Sequence, residues 1–295
     1  MKGILLAGGL GTRLLPMTGV ISKQILPVYD KPMVYYPLSV LMLSDIREVL
    51  VISTPRDLPL LQELLGNGSC LGMKIEYATQ SDPSGIPEAL VIGEEFLNGD
   101  SVCLVLGDNI FYGDGLSRIV KEFEEPQKAL VFGYPVSDPG RYGVLELNDQ
   151  MELVNLVEKP VQTRSRLALV GLYVFPDGVS EIAKSLQPSN RGETEIVDVC
   201  LSYLKNGNLI HRVMGRGLSW FDAGTPSSLL EASSFVGAIQ ERQGLSIACI
   251  EEIAFRNSWI DQEQLRVLAL RFNGSAYGEY LNKIGSAGKN WAFRV

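Results

Sequence analysis

The residues most able to do chemistry lie near the start of the chain, where an apolar run ends in a cluster of glycines. Residues 4–6 show no polar alternation, which is typical of a strand buried on both faces of a parallel sheet. Gly8, Gly9 and Gly11 lack a Cβ, so the loop can turn tightly and bring its N–H groups close to a ligand. The Arg13 guanidinium adds donors that suit phosphate oxygens. The segment predicts a phosphate-binding loop, although a tight turn with no ligand would use the same glycines.

Two better-known glycine motifs do not match this loop. The dinucleotide fingerprint that begins at Gly9 needs glycine or alanine at position 14, which is Leu14. A P-loop would need Gly-Lys-Ser or Gly-Lys-Thr at its end, and no such tripeptide follows. These mismatches argue against an oxidoreductase on a dinucleotide-binding core and against a P-loop.

Further motifs follow the loop in order. Gly-Gly-Leu-Gly-Thr-Arg spans residues 8–13, Ser-Lys-Gln-Ile-Leu-Pro spans residues 22–27 and Tyr-Asp-Lys-Pro-Met spans residues 29–33. This succession resembles the opening of the sugar-nucleotide pyrophosphorylases, and in wording the glucose-1-phosphate thymidylyltransferases among them. The resemblance covers roughly residues 1–284. It implies a Mg²⁺-dependent nucleotidyltransferase of dTDP-sugar biosynthesis, in which glucose 1-phosphate attacks the α-phosphorus of dTTP and releases pyrophosphate.

The resemblance also implies which residues bind the nucleotide. Arg13 and the glycine-loop amides would hold the β- and γ-phosphates, Lys23 would polarise the α-phosphate, and Gln80 would read the base. The full set expected to bind the nucleotide is Gly8, Gly9, Gly11, Thr12, Arg13, Lys23, Gln24, Gln80 and Gly85.

Two aspartates are candidate magnesium ligands. Asp108 follows the apolar run 102–106, which places it at the carboxyl end of a predicted strand. Asp222 lies in Trp-Phe-Asp-Ala-Gly-Thr, residues 220–225, which is similar to a family motif. The resemblance implies that both coordinate Mg²⁺, and carboxylate oxygens suit this ion. By itself, an aspartate after a glycine indicates a turn or a helix N-cap as readily as it indicates a metal ligand.

A third group of residues matches the family's sugar-phosphate segment. The resemblance implies that Glu158 bonds sugar hydroxyls and that Lys159 contacts the sugar phosphate, so Lys159 joins Arg13, Lys23 and Asp108 as an expected catalytic residue. Without the resemblance, Glu-Lys-Pro reads as a strand-exit turn with a solvated ion pair. The residues expected to bind the sugar phosphate are Asn109, Tyr142, Gly143, Glu158, Lys159 and Val170.

The elements that must position these residues alternate along the chain. The pattern predicts an α/β fold with a Rossmann-like, mostly parallel central sheet flanked by helices, a smaller β-rich sugar-binding part and C-terminal helices. Besides the first strand, we predict strands at residues 48–53, 74–79, 102–106, 129–135, 143–147, 153–157, 167–175 and 208–214, and helices at residues 31–45, 57–65, 87–97, 194–203, 226–243 and 260–271.

These elements suggest the following organisation. Residues 1–240 form a catalytic domain, with a nucleotide-binding part at 1–115 and a sugar-phosphate part at 116–225. Residues 241–284 form a helical assembly and regulatory part, which by resemblance implies a homo-oligomer, a tetramer. Residues 285–295 are expected to be a flexible tail.

Composition excludes several functions. The net charge of −8 argues against nucleic acid as a partner. No apolar run reaches the roughly 18 residues of a membrane span, so we expect a cytoplasmic protein without a membrane partner. The four cysteines are widely spaced, which predicts buried thiols and neither a zinc site nor disulfides. His211 is the only histidine and is expected to be structural, which excludes mechanisms that need a histidine pair.

The chain departs from the family pattern in three places. Residues 85–89 read Gly-Ile-Pro-Glu-Ala where the family usually has Gly-Leu-Ala-Gln-Ala, which puts Glu88 near the substrates. Residues 18–21 lack a usual arginine, and Val157 replaces a common glutamate. UTP or another sugar 1-phosphate therefore stay open as substrates. A sensor without catalysis should have lost Asp108, Asp222 or Lys159, and all three are present.

Overall fold

A nine-stranded mixed sheet forms the centre of the computed structural model, which describes residues 1–82 and 84–288. The strands are β1 Lys2–Ala7, β2 Pro27–Val28, β3 Lys31–Pro32, β4 Glu48–Ser53, β5 Lys74–Thr79, β6 Val102–Leu106, β7 Asn109–Tyr112, β8 Ala129–Pro135, β9 Gly143–Leu147, β10 Leu153–Glu158, β11 Leu167–Phe175, β12 Leu209–Val213 and β13 Ser219–Asp222. The helices are α1 Tyr35–Leu43, α2 Leu58–Leu65, α3 Glu88–Ile92, α4 Glu94–Leu97, α5 Leu116–Lys121, α6 Val179–Ser185, α7 Ile196–Lys205, α8 Pro226–Gln243, α9 Ile250–Arg256, α10 Gln262–Leu270 and α11 Ala276–Ala287.

The parallel half of the sheet is built around β1. This strand pairs in parallel with β4 and β6, and β4 pairs in parallel with β5. Ile4 and Leu5 point to opposite faces and both are fully buried, Leu5 in the core that contains Leu38 of α1 and Ile4 in the core that contains Leu90 of α3. Burial on both faces explains the unbroken apolar run. The predicted α/β fold is confirmed, and the carboxyl ends of these strands meet at one edge.

The other half of the sheet is mostly antiparallel, although β12 pairs in parallel with β8. β11 runs antiparallel to β6, β8 and β9, and β9 pairs with β10 so that Gly143 lies opposite Glu158. The predicted strands in this half are all present. A separate small sheet joins β7 to β13 in antiparallel register, with Asn109 opposite Asp222. These two short strands were not predicted.

Several predicted helix boundaries are wrong for identifiable reasons. The helix predicted at 31–45 spans Tyr35–Leu43, because Lys31–Pro32 pair with Pro27–Val28 as strands. The helix predicted at 87–97 is two helices that meet at Gly93, where a Cβ would lie 2.6 Å from Ile4 Cδ1. Close packing on β1 therefore requires the glycine, which lowers helix propensity.

The predicted N-cap at Thr194 is also wrong. Glu195 holds the cap position of α7, and the Thr194 hydroxyl donates to the Ser84 carbonyl (3.0 Å) instead. A hydroxyl next to a helix start can serve either purpose, so only the tertiary contact decides.

The C-terminal part contains two helices that the sequence did not predict. In α9, Glu251 and Glu252 are buried along with the apolar residues. The helix therefore lacks the division into a buried apolar face and an exposed polar face by which an amphipathic helix is recognised. In α11, glycines at 278 and 285 lower the propensity, and the burial of Leu281 and Ile284 outweighs it. Residues 285–287 are therefore helical and not part of a tail, whereas residues 289–295 lie outside the described residues.

No helix in the described ranges is long and apolar enough to cross a membrane. His211 is partly buried in β12, and this burial lowers its pKa.

All four cysteines lie in the described part of the chain, and three are buried as predicted. The exception is Cys70, which is exposed in a short 3₁₀ helix, Ser69–Leu71. Burial raises the pKa of Cys103 to about 12, and burial also raises the pKa of Cys200 and Cys249. The prediction that each cysteine is buried is thus wrong for Cys70.

One thiol should therefore react in the folded protein. We expect an aromatic disulfide reagent to modify Cys70 quickly and the other thiols only after unfolding, because the reacting species is an accessible thiolate. Cys70→Ser should abolish the fast phase, which absorbance of the released thiol measures. Rapid modification of two thiols per native chain would contradict this expectation.

Candidate active site

The loop after β1 carries the first functional groups at the carboxyl edge of the sheet. Gly11 has a φ of 66°, in the left-handed region that glycine adopts without strain, and precedes a 3₁₀ helix at Thr12–Leu14. Leu14 is fully buried, and the Thr18 hydroxyl donates to the Gly11 carbonyl (2.7 Å). Arg13 is thereby held on a short, anchored turn with its side chain exposed.

Lys23 and Asp108 form a buried ion pair beneath this loop. Lys23 opens a 3₁₀ helix capped by Ser22, and its Nζ contacts Asp108 Oδ2. Each side chain is 12% exposed. Burial alone would raise the pKa of Asp108, but the Lys23 charge and its hydrogen bond outweigh it, so this pKa lies below its usual range. A Cβ at Gly9 would lie 3.1 Å from Lys23 Nζ, so the glycine lets the ammonium lie against the loop.

Asn109 supports Asp108 from behind. Its Nδ2 donates to Asp108 Oδ1 (3.0 Å), while its Oδ1 accepts from Trp220 Nε1 (2.6 Å) and from the Gly171 amide (3.0 Å). Asn109 is only 3% exposed. These bonds fix the orientation of the Asn109 amide, which in turn orients Asp108. Direct contact between Asn109 and the sugar phosphate stays a prediction.

Asp222 lies near Asp108 although the two residues are more than 100 positions apart in the sequence. The pairing of β13 with β7 sets it opposite Asn109, and the Ala223 amide donates to the Asp108 carbonyl (3.0 Å). Burial and then the negative charge of Asp108 raise the pKa of Asp222, and the Arg13 charge opposes them. A Cβ at Gly224 would lie 2.6 Å from Arg13 Nη2, so this glycine makes room for the guanidinium beside Asp222.

The sugar-phosphate residues line the adjoining wall. The Tyr142 ring packs edge-on against the Trp220 ring, with 5.1 Å between centroids, and the Lys159 amide donates to the Tyr142 carbonyl (3.0 Å). Lys159 Nζ lies 3.5 Å from Glu158 Oε1, and the Lys159 side chain is 45% exposed. Burial raises the pKa of Glu158, and Lys159 opposes the shift. Val170 is fully buried in the core, so only its backbone can face a ligand.

The residues around Asp108 and Asp222 and the predicted sugar-phosphate residues line one cavity of about 450 Å³. Its lining includes groups from both halves of the chain: Arg13, Asp108, Asn109, Tyr142, Gly143, Glu158, Lys159 and Asp222. The structure thus brings together residues that the sequence separates widely.

Two glutamines expected to bind the nucleotide lie near the loop, Gln80 after β5 and Gln24 in the 3₁₀ helix Lys23–Ile25. Gln80 follows β5 and is 5% exposed; its Nε2 donates to Glu88 Oε2 (2.6 Å) and to the Gly85 carbonyl (3.1 Å). Gln24 is buried at 1% exposure, with its Oε1 accepting from the Ser22 hydroxyl (2.6 Å). Gln80 therefore borders the site, whereas the Gln24 side chain lies under the loop.

Sequence reasoning assigned no role to Arg191, which also lines the cavity. Its guanidinium pairs with Glu195 Oε2 (2.6 Å) and with Glu158 Oε1 (3.0 Å). Glu195 is a local partner, four residues along the chain, but Glu158 is 33 residues away in sequence, so no local signal predicted the contact that brings Arg191 to the cavity.

The pair of carboxylates suits a divalent cation. Asp108 and Asp222 offer hard oxygen ligands, and Mg²⁺ usually takes one or two carboxylates and completes its shell with water and substrate phosphates. In the described ranges, no group of three or more His, Cys, Asp or Glu side chains could hold a metal ion. The donor set therefore fits an ion that binds with a phosphate ligand and not a closed structural site.

The fold and the site define an α/β protein in which cationic groups from two parts of the chain flank a pair of carboxylates. The nucleotidyl transferase family model matches residues 2–238. Named relatives include the glucose-1-phosphate thymidylyltransferase of Neisseria meningitidis, 50% identical over 96% of this chain and 99% of its own, and that of Mycobacterium tuberculosis, 50% identical over 95% and 98%.

A solved structure of a related protein has a similar fold. A Bacillus anthracis protein assigned as a glucose-1-phosphate thymidylyltransferase, crystallised with sucrose, superposes with a TM-score of 0.75 at 37% identity, over 80% of this chain and 94% of its own. The chain belongs to the nucleotidyl transferase family.

Proposed function

We propose that this chain is a Mg²⁺-dependent enzyme that makes dTDP-glucose and pyrophosphate from dTTP and glucose 1-phosphate. One observation carries the proposal: the glycine loop with Arg13 and Lys23, and the Glu158–Lys159 pair, flank the same two carboxylates. The choice of thymine nucleotide and of glucose is supported by the relatives that bear the thymidylyltransferase name.

The reaction needs no general base. The second pKa of a sugar phosphate is near ~6, so at neutral pH the nucleophile is already mostly dianionic. The protein must hold this phosphate in line with the α-phosphorus and stabilise the charge that shifts onto the departing pyrophosphate. Arg13 and the loop amides would bind the β- and γ-phosphates, Lys23 the α-phosphate and Lys159 the attacking phosphate.

Bound Mg²⁺, held by Asp108 and Asp222, would neutralise phosphate charge and help to align the phosphates. Lys23 neutralises Asp108 and holds its pKa below the usual range. Arg13 lies close to Asp222 and opposes the rise in the pKa of that carboxyl.

A substrate panel tests the function. Nucleoside triphosphates dTTP, UTP, dCTP, ATP and GTP are each paired with glucose, galactose and mannose 1-phosphate, and pyrophosphate release is measured with Mg²⁺. The expected result is strongest release with dTTP and glucose 1-phosphate and usable release with UTP. No release with any pair would favour the sensor, and a higher efficiency with UTP would favour uridylyl transfer.

We also propose the organisation that the resemblance implies: a catalytic domain at 1–240, an assembly and regulatory part at 241–284 and a cytoplasmic homotetramer. Helix α9 packs on α1, and α9, α10 and α11 pack on one another; these three helices contribute no residue to the cavity described above. Light scattering should give four times the chain mass of 32.3 kDa.

Gln80 should control the choice of base. Its Oε1 faces the glycine loop, 2.7 Å from where a Gly8 Cβ would lie. Thymine and uracil present a ring N3–H donor to such an acceptor, whereas cytosine N3 is itself an acceptor. An unpaired polar group costs roughly 1–3 kcal/mol, or about 5- to 150-fold in efficiency. We expect dTTP to be best, UTP second and cytidine nucleotides poor.

Gln80→Ala is expected to lose most of the preference for dTTP over dCTP, measured as the ratio of kcat/KM values. Preference for dTTP over UTP rests on a methyl group worth ~1 kcal/mol and on the ribose, so this variant should change it less. An unchanged dTTP to dCTP ratio would show that Gln80 does not read the base.

A further inference from the structure

Glu88, where the chain departs from the usual family residue, contacts Gln80. Glu88 is the first residue of α3, and its Oε2 accepts from Gln80 Nε2 at 2.6 Å. The second acceptor on that nitrogen is the Gly85 carbonyl, at 3.1 Å. Both hydrogens of the Gln80 amide are therefore directed away from the glycine loop.

The chemistry of these neighbours determines which way the amide points. A carboxamide has a donor side and an acceptor side, whereas a carboxylate and a backbone carbonyl only accept. Rotating Gln80 by 180° would set its oxygen against Glu88 and Gly85 and would lose a charge-assisted hydrogen bond. The oxygen is thus left beside Gly8, and no described residue donates a hydrogen bond to it.

We infer that Glu88 is a positioning residue that holds Gln80 so that only a hydrogen-bond acceptor faces the nucleotide base. The inference rests on the proposed function, since the base is that of the nucleoside triphosphate. A single acceptor selects bases with a ring N–H, such as thymine and uracil. Cytosine can offer only its exocyclic amino group, and to do so it must shift within the site.

Glu88→Gln separates orientation from packing. The new side chain has nearly the same size, but its amide can donate as well as accept. Only the Gly85 carbonyl then favours the original orientation of Gln80, so the rotated one becomes accessible, and in it Nε2 pairs with cytosine N3. We expect the dTTP to dCTP ratio of kcat/KM to fall about tenfold, mainly through KM, because the base contact is equal in the ground and transition states.

The use of a ratio and a matched control variant isolates the effect of the Gln80 orientation on base preference. Removing the negative charge of Glu88 would alter the affinity for the anionic dTTP and dCTP alike, so the ratio cancels that change. Glu94→Gln makes the same chemical change on α4, where the carboxylate pairs with Lys184 at the surface, and should leave the ratio as in the unmodified chain. Glu88→Ala is a second variant, which also frees the Gln80 amide and should lower the ratio.

A double-mutant cycle tests whether Glu88 acts through Gln80. In the Gln80→Ala background, Glu88→Gln should change the ratio no further. A further change there, or an undiminished ratio in both Glu88 variants, would overturn the inference. The proposed function fails separately, if the unmodified chain releases no pyrophosphate from dTTP with any sugar 1-phosphate.

Discussion

Asp108→Asn is expected to lower kcat by about 10²–10³-fold while weakening ground-state binding of the sugar phosphate far less. The physical reason is the burial of Asp108 after β6, where it pairs with Lys23 and, in the proposed reaction, would offer an oxygen to a divalent ion. Asparagine keeps the shape and the bond to Asn109 but removes the charge. Steady-state kinetics and binding of glucose 1-phosphate measure the two effects.

Asp222→Asn should show the same pattern, since its carboxylate faces Asp108 across the β7–β13 pair. Asp100→Asn is the matched control, because Asp100 lies two residues before the opposite end of β6 and pairs with Lys2 (3.2 Å). Wild-type turnover that persists in excess chelator would contradict the assignment of both carboxylates to a metal.

The second large effect separates two lysines that look alike in sequence. Lys23→Met should depress kcat, because the proposed partner of Lys23 gains charge in the transition state. Lys159→Met should instead raise KM for glucose 1-phosphate several-fold or more and affect nucleotide binding less, because the proposed partner of Lys159 is the phosphate of the nucleophile. Initial rates with each substrate varied in turn distinguish the patterns.

Lys23→Met also leaves Asp108 buried without its cation, which is costly, so the thermal unfolding midpoint should be followed alongside the kinetics. Lys74→Met is a suitable control, since Lys74 starts β5 at the other edge and is 64% exposed. If Lys23→Met and Lys159→Met show one common kinetic pattern, the separate roles assigned to these lysines are wrong.

Local chemistry made part of this structure predictable. Continuous apolar runs indicated strands because both faces of a parallel sheet are buried, and the glycine loop was evident because no Cβ stands between its backbone and a ligand. Helix ends were less predictable. Gly93 divides a helix to fit Ile4, and Thr194 bonds Ser84 in place of capping, and both depend on residues distant in sequence.

The sequence by itself determined the residue types of the site: a glycine loop with Arg13 and Lys23, an aspartate after a strand, a second aspartate in a family-like motif, and a Glu-Lys pair at a strand exit. Only the tertiary structure decided their relations. Pairing of β7 with β13 sets Asp222 beside Asp108, and Glu88 determines which atom of Gln80 faces the loop. Propensity and periodicity act over a few residues, whereas ion pairs and amide orientation depend on partners that only the folded chain brings within hydrogen-bond distance.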